Sequence, residues 1–234
     1  SSYLGIDDSF TPHKAKVPRL QCTRLFSLFM SYVPMSKNVT FLRHYQLEYP
    51  YDNWSYLSLA QYKSLVEGKA DPRIKSDISS YLENNIVRNH LTNYEIILTS
   101  DLLRTKQTAE TINKYFSLGL TIESNHIFNE IPSKFTRDLS EKEFLKMKEG
   151  KRVQDYKKRV LNDDQKIERL RDIDVFLKQR KEKEILVISH SSLIGQLNYF
   201  YNIICRDCNR YSEQDADKYE IGGFIKGFSV EIEY

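Results

Sequence analysis

The sequence predicts an α/β protein in which helices cover both faces of a mostly parallel sheet. Three short runs of apolar, mainly β-branched residues have the pattern of buried parallel strands, at 39–44, 95–99 and 184–188. Segments with helical periodicity separate these runs, and such alternation is typical of layered α/β folds. We therefore expect three layers, α/β/α, with the parallel strands in the middle.

The first strand is followed by a loop and two predicted helices. Residues 45–56 are rich in Tyr and polar groups and are expected to form the loop. Residues 57–66 have an amphipathic pattern, and Gly68 is a plausible stop signal. Apolar residues at a spacing of three to four predict the second helix: Ile78, Tyr81, Leu82 and Ile86.

The strand at 95–99 is expected to lead directly into a long helix. Ser100 or Asp101 is the predicted N-cap, because short polar side chains satisfy the first amides of a helix. The apolar pattern ends near Gly119, which is a suitable helix terminator. Residues 120–122 are then expected to form a short strand.

The second half of the chain repeats this alternation. The segment 134–159 carries ten basic and five acidic residues, and we interpret it as a solvated helical face. A helix is predicted over 167–177, a strand at 184–188 and a well-buried helix over 193–204. Residues 228–234 alternate apolar and polar side chains, which predicts a half-exposed strand.

The length of 234 residues fits one domain with a substantial core. We assign residues 35–234 to this domain and regard residues 1–34 as an N-terminal extension. The net charge of +3 is small, so charge does not favour nucleic acid as a partner. No stretch approaches the roughly 20 apolar residues of a membrane span, and we expect no membrane partner. The oligomeric state is left open.

The cysteines indicate a reducing compartment. There are three, Cys22, Cys205 and Cys208, and an odd number without a regular framework argues against structural disulfides. Cys205 and Cys208 have C-x-x-C spacing, but no further ligands at zinc spacing accompany them. We expect a cytoplasmic protein without a metal or another cofactor.

Polar side chains suited to binding phosphate follow the three buried strands. Arg43 and His44 end the first, Arg104 lies one helical turn beyond the second, and His190 ends the third. The carboxyl ends of parallel strands meet at one sheet edge, where ligands bind. Arginine can hold two phosphoryl oxygens at once. His44 could attack phosphorus through a neutral ring nitrogen.

A carboxylate follows in a loop. Glu130 lies near Pro132, where it could protonate the leaving oxygen as a general acid.

Five segments, in this order along the chain, carry a resemblance to a known family. They are FLRHY at 41–45, LS at 57–58, LTSDLLRTKQTAE at 98–110, NEI at 129–131 and VISHS at 187–191. Together they resemble the motifs of the histidine phosphatase, or phosphoglycerate mutase-like, superfamily. The third segment is the most specific match, and the five span roughly residues 37–200.

The resemblance implies a phosphoglycerate mutase-like fold and a role for each matched residue. His44 corresponds to the nucleophile that forms a phosphohistidine, and Glu130 to the proton donor. The family needs no metal. Phosphoryl binding is implied for four residues: Arg43, Arg104, His190 and Ser191.

Three positions depart from the family pattern. Tyr45 replaces a glycine after the histidine, and Leu47 and Pro50 stand where many members have phosphate-binding polar residues. We predict a metal-free phosphatase that acts on a phosphorylated small molecule or on phosphorylated protein side chains. Two alternatives are a phosphohistidine phosphatase and a phosphatase-like module that binds a phosphoryl group without turnover.

Overall fold

The computed structural model describes residues 35–84, 93–130, 134–151, 164–204 and 227–234. The proposed extension at 1–34, the C-x-x-C pair and the end of the basic segment lie outside the described residues. The assignment of residues 1–34 to a separate extension therefore stays a prediction. None of the described helices is both long enough and apolar enough to span a membrane.

Five strands form one mixed sheet. In chain order they are β1 (Ser36–Arg43), β2 (Ile96–Thr99), β3 (Thr121–Ser124), β4 (Glu184–Ser189) and β5 (Gly227–Glu233). Their spatial order is β3-β2-β4-β1-β5, and all neighbours are parallel except β5, which runs antiparallel to β1. The prediction of a mostly parallel sheet is confirmed.

Helices precede or follow most of these strands. In chain order they are α1 (Leu59–Val66), α2 (Ile78–Asn84), α3 (Leu103–Tyr115), α4 (Lys134–Asp138), α5 (Glu141–Lys148), α6 (Asp164–Gln179) and α7 (Ser191–Tyr199). Single 3-10 turns lie at Trp54–Tyr56 and His126–Phe128, and a π-helical turn at Phe200–Ile204 continues α7.

The core lies on both faces of the sheet because successive strand residues point to opposite sides. Phe41 and Val187 face one cluster, against which α6 and α7 pack. Leu42 and Ile188 face the other cluster, which contains residues of α2 and α3. The three-layer arrangement follows from this alternation, as the sequence predicts.

The predicted caps of α3 are wrong. The helix begins at Leu103, and the residue at its N-cap, Leu102, offers no capping side chain. Ser100 is unavailable, because its hydroxyl accepts from the amide of Leu102 before the helix starts and takes part in a buried network. The carboxylate of Asp71 instead accepts from the amide of Leu103 at 2.6 Å. Asp101 does not cap the helix.

Other boundaries move by a few residues. α1 begins two residues later than predicted, where Ser58 and Gln61 form a capping box. α3 ends at Tyr115, before the predicted stop at Gly119, because Ser117 already adopts a left-handed φ of 52°. α7 begins at Ser191, two residues earlier than predicted. The half-exposed pattern predicted for the last strand is confirmed in β5.

Candidate active site

The register of the sheet aligns the carboxyl ends of the three predicted strands, β1, β2 and β4, at one edge. β1 pairs with β4 up to Arg43 and Ser189, and β2 pairs with β4 one residue earlier. The residues that follow the strands are His44, Ser100 and His190, and all three are buried. The His44 and His190 rings lie 5.3 Å apart, centroid to centroid, at an angle of 63°.

The His44 ring is held in one tautomer. Its Nδ1 lies 2.6 Å from the carbonyl oxygen of Tyr45. A carbonyl can only accept, so Nδ1 carries the proton and Nε2 keeps its lone pair. Burial, and then the charges of Arg104 and Arg43, lower the pKa of His44 to about 3, against the opposing effect of the hydrogen bond to Tyr45. The ring is therefore neutral and nucleophilic at neutral pH.

The backbone after His44 is fixed by α3. The amide of Tyr45 donates to the hydroxyl of Thr108 at 3.0 Å, and that hydroxyl donates to the carbonyl of Arg104. The Tyr45 side chain is buried, and its hydroxyl donates to Asp77 at 3.2 Å. Tyr45 thus packs into the core and anchors the segment that orients His44.

His190 is part of a buried chain of hydrogen bonds. The guanidinium Nε of Arg104 donates to its Nδ1 at 3.4 Å, and its Nε2 lies 2.9 Å from the Ser100 hydroxyl. Because a guanidinium can only donate, neutral His190 carries its proton on Nε2 and donates it to Ser100. Burial first, and then nearby cationic side chains, lower the pKa of His190 well below its usual value.

The chain continues from Ser100 into the start of α3. The Ser100 and Thr105 hydroxyls are 2.8 Å apart, and Thr105 donates to the carbonyl of Leu102 at 2.8 Å. Because Ser100 accepts from His190, the Ser100 hydroxyl donates to the Thr105 hydroxyl, which in turn donates to the carbonyl of Leu102. This network ties the His190 ring to the helix that carries Arg104.

Arg104 is almost fully buried and contacts three different groups. Its side chain is 3% exposed, and its Nη1 lies 3.4 Å from the carboxylate of Asp71. Its Nη2 donates to the carbonyl of Leu65 at 3.3 Å. Burial lowers the pKa of Arg104, while Asp71 and Glu130 oppose that shift. These contacts fix the plane of the guanidinium beside His190.

Glu130 lies close enough to several cationic groups for its charge to act on them. Its charge opposes the lowering of the pKa that burial causes in three arginines, namely Arg43, Arg104 and Arg169. The segment before it is anchored to the sheet edge: Ser189 donates to the carbonyl of Phe128 at 2.7 Å, and Asn129 accepts from the amide of Asp101 at 2.8 Å. The structure thus brings Glu130 together with the strand-end residues.

Ser191 has a different position from the other predicted site residues. It is the first residue of α7, next to His190, and it is half-buried. Within the described ranges, no hydrogen bond joins its hydroxyl to the other candidate residues. Its role in substrate binding stays a prediction.

No group of three or more metal-ligating side chains is clustered in the part of the chain that the structure describes.

Two residues that the sequence did not single out for the site, Asp71 and Arg169, contact it. Asp71 directly precedes Pro72, a pair that is typical of a turn. Arg169 of α6 contacts the segment that carries Glu130. The helical pattern around Arg169 predicts a helix, but nothing in it distinguishes this basic residue from its neighbours, so its contact could be found only from the structure.

Solved structures show which fold this is. A phosphoglycerate mutase from Bacillus anthracis str. Sterne has a TM-score of 0.53 to the chain at 15% identity, over 85% of this chain and 88% of that one. The chain has the phosphoglycerate mutase-like fold. A mycobacterial glucosyl-3-phosphoglycerate phosphatase in complex with VO3 is similar too, with a TM-score of 0.50 and 13% identity over 83% and 92% of the two chains. We find no protein-family model and no curated protein sequence that matches the chain.

The predicted resemblance and fold class are confirmed by these phosphoglycerate mutase-like neighbours. At such low identity the likeness concerns the fold, so the chemistry of this chain is argued from its own residues.

Proposed function

We propose that the protein is a metal-free phosphatase that hydrolyses phosphomonoesters or phosphorylated protein side chains. The observation that carries this proposal is the His44 ring, whose Nδ1 proton is engaged by the carbonyl of Tyr45. Nε2 is left with a lone pair in a site lined by the guanidinium groups of Arg43 and Arg104, whose charges act on the ring. A pure phosphate-binding site has no use for an unprotonated nitrogen, whereas a phosphohistidine mechanism requires one.

In the first step, the Nε2 lone pair of His44 attacks phosphorus and an N–P bond forms. The bond between phosphorus and the ester oxygen breaks, and its electron pair goes to that oxygen, which takes a proton from the carboxyl group of Glu130. Arg43, Arg104 and His190 stabilise the charge that is spread over the phosphoryl oxygens in the transition state.

In the second step, water attacks phosphorus on the phosphohistidine. The Glu130 carboxylate accepts a proton from the water, the N–P bond breaks, and its electron pair returns to Nε2 of His44. Inorganic phosphate leaves, and Glu130 is again protonated. All charge stabilisation comes from arginine and histidine side chains, so the mechanism needs no metal or other cofactor.

The substrate class rests on the site and on the similar structures. The phosphatase named above is described as acting on glucosyl-3-phosphoglycerate, which is a phosphorylated small molecule. A phosphoester on a small molecule or on a protein side chain presents the same phosphoryl group to the two arginines. We infer a cytoplasmic location from the odd number of cysteines.

One observation favours the alternative of a phosphoryl-binding module. The amide of Tyr45 donates to Thr108 and is therefore not available to a phosphoryl oxygen. Fewer donors around phosphorus would weaken transition-state stabilisation more than they would weaken binding. The neutral, oriented His44 is the stronger argument, and it favours turnover.

Turnover of p-nitrophenyl phosphate in the presence of a chelator tests the proposal. We expect the wild-type protein to be active, and His44→Ala to lose activity to below a few per cent while remaining folded. Quenching turnover of a ³²P-labelled substrate in alkaline denaturant should trap label on the protein that is kept in base and lost on later treatment with acid, as expected of phosphohistidine. His126→Ala is the matched control, because that histidine is exposed and its ring takes no part in the mechanism. Substantial activity of His44→Ala would remove the mechanism.

If the wild type binds phosphate without turnover, the module alternative is correct. If it hydrolyses phosphohistidine peptides but no phosphoester, the phosphohistidine phosphatase alternative is correct.

A further inference from the structure

Arg169 is bonded to the segment that ends at Glu130. From α6, its guanidinium donates through Nε to the carbonyl of Ile127 at 3.2 Å. Its Nη2 donates to the carbonyls of His126 and Asn129. One side chain thus donates hydrogen bonds to three carbonyl oxygens, the last of which belongs to the residue directly before Glu130. The planar, forked guanidinium is suited to such multiple bonding, whereas a lysine ammonium is not.

The same guanidinium acts electrostatically on the Glu130 side chain. Burial lowers the pKa of Arg169, and the carboxylate that opposes this most strongly is Glu130, ahead of Asp172. Asp172 is exposed and lies on α6 itself. The half-buried cation therefore interacts with both the backbone before Glu130 and the Glu130 carboxylate.

Two other bonds hold this segment at the sheet edge. Ser189 donates to Phe128, and the amide of Asp101 donates to Asn129. These bonds link the segment before Glu130 to the ends of β4 and β2, which are directly followed by His190 and Ser100. Arg169 differs from them because it approaches from α6 and brings a charge.

We propose that Arg169 is a positioning residue for Glu130, which orients the carboxyl group toward the leaving oxygen. This inference rests on the proposed function, in which Glu130 is the general acid. Removing Arg169 should impair proton transfer to the leaving group and spare the attack by His44. The effect should depend on how strongly the leaving oxygen needs a proton.

The test compares an alkyl monophosphate, whose leaving oxygen needs a proton, with p-nitrophenyl phosphate, whose leaving oxygen does not. It uses the full chain with Arg169→Met, Arg169→Lys, Glu130→Gln and the double variant Arg169→Met/Glu130→Gln. Arg180→Met is the matched control, because Arg180 pairs with Glu123 and Glu182 at the amino-terminal edge of the sheet, away from the site.

We expect Arg169→Met to slow kcat for the alkyl phosphate on the order of tenfold or more, since small displacements of a reacting group can cost about 100-fold. Turnover of p-nitrophenyl phosphate should stay within about twofold, which also reports on correct folding of the site. Arg169→Lys should fall between the wild type and Arg169→Met. In the Glu130→Gln background, Arg169→Met should cause no further loss, because coupled residues are not additive.

The inference would be overturned if Arg169→Met lowered kcat equally on both substrates, or if its effect multiplied with that of Glu130→Gln in the double variant. Arg169 would then have only a structural role. If Glu130→Gln itself failed to discriminate between the substrates, its assignment as the acid would fall, and the inference with it. The phosphohistidine step at His44 would stand, because label trapping tests it separately.

Discussion

Each of the two histidines of the site is held in one tautomer, because the neighbouring group on its Nδ1 can act only as an acceptor or only as a donor. The carbonyl of Tyr45 forces the proton of His44 onto Nδ1, and the guanidinium of Arg104 forces that of His190 onto Nε2. His44 does not have to change tautomer before the reaction begins, whereas His190 must first gain a proton on Nδ1, in place of the bond from Arg104, before it can donate to a phosphoryl oxygen. A phosphoryl dianion that enters between them favours protonation of His190, since an opposite charge raises the pKa of an imidazole.

Arg104→Lys is expected to reduce kcat far more than it raises KM. A lysine ammonium cannot hold the planar arrangement that joins His190, Asp71 and the carbonyl of Leu65. In the proposed mechanism the lost contact is with charge that grows in the transition state, and losing one such donor costs about 3 kcal/mol. Steady-state kinetics on p-nitrophenyl phosphate measure the split, with Arg73→Lys as a control at an exposed position. A rise in KM alone would make Arg104 a group that binds substrate and transition state equally.

At the scale of the element, α3 joins the site to the α1–α2 connection. Its first amide is capped by Asp71, a residue 32 positions earlier in the chain, and the same carboxylate pairs with Arg104. The start of the helix and the orientation of its arginine therefore depend on one side chain from another segment.

Asp71→Ala should lower the free energy of unfolding by about 1 kcal/mol, as is typical when a helix loses its capping oxygen. Asp101→Ala is the comparison, because Asp101 is one of the two caps that the sequence predicts, with Ser100, and its carboxylate does not cap the helix. It should leave stability nearly unchanged. Urea titrations measure the free energy of unfolding of both variants. An equal decrease in the two would contradict the assignment of Asp71 as the cap of α3.

Gly227 lies where two backbones approach closely. It starts β5 opposite Leu42, and an added Cβ would lie 1.5 Å from the carbonyl oxygen of Phe41. Gly227→Ala must therefore displace the end of β5, and overpacking of this kind costs about 1–3 kcal/mol. Glu231→Ala, at an exposed position of the same strand, is the control. Unchanged thermal stability of Gly227→Ala would contradict this close approach.

At the scale of the whole molecule, the buried histidines couple stability to pH. The folded pKa of His44 is about 3, whereas the unfolded value is about 6.5. The unfolded chain therefore binds a proton between these values that the folded chain does not, and stability falls as pH decreases through this window. From pH 7 to pH 5, His44 alone contributes a loss of about 2 kcal/mol. His190, whose pKa is also lowered, adds to it in the same direction.

Urea titrations at pH 7 and pH 5 in phosphate-free buffer measure this dependence. His44→Asn should make it shallower by about 2 kcal/mol, because the proton that only the unfolded chain binds at this position is then absent. A pH dependence that is the same in His44→Asn and the wild type would show that the buried ring does not resist protonation.

The edge of the sheet that carries the candidate site was predictable because His44 and His190 directly follow apolar strand runs, and Arg104 lies about one helical turn beyond the second run. Local sequence therefore predicts where His44 and His190 lie. Asp71 and Arg169 were not predictable, since each reaches the site from an element that its local sequence does not connect to it. The helix cap was misassigned for a related reason: Ser100 follows the usual capping pattern, but tertiary contacts use its hydroxyl for His190.

The pairing of β1 with β5 has a consequence for engineering the chain. The amide of Tyr234 donates to the carbonyl of Met35 at 3.0 Å, so the two ends of the described fold adjoin at the edge of the sheet opposite His44 and His190. A short linker could join these ends and new termini could be opened in a surface loop, which gives a circular permutant. Fusion partners or surface attachments placed at this seam would lie at the end of β1 opposite the one that leads into His44.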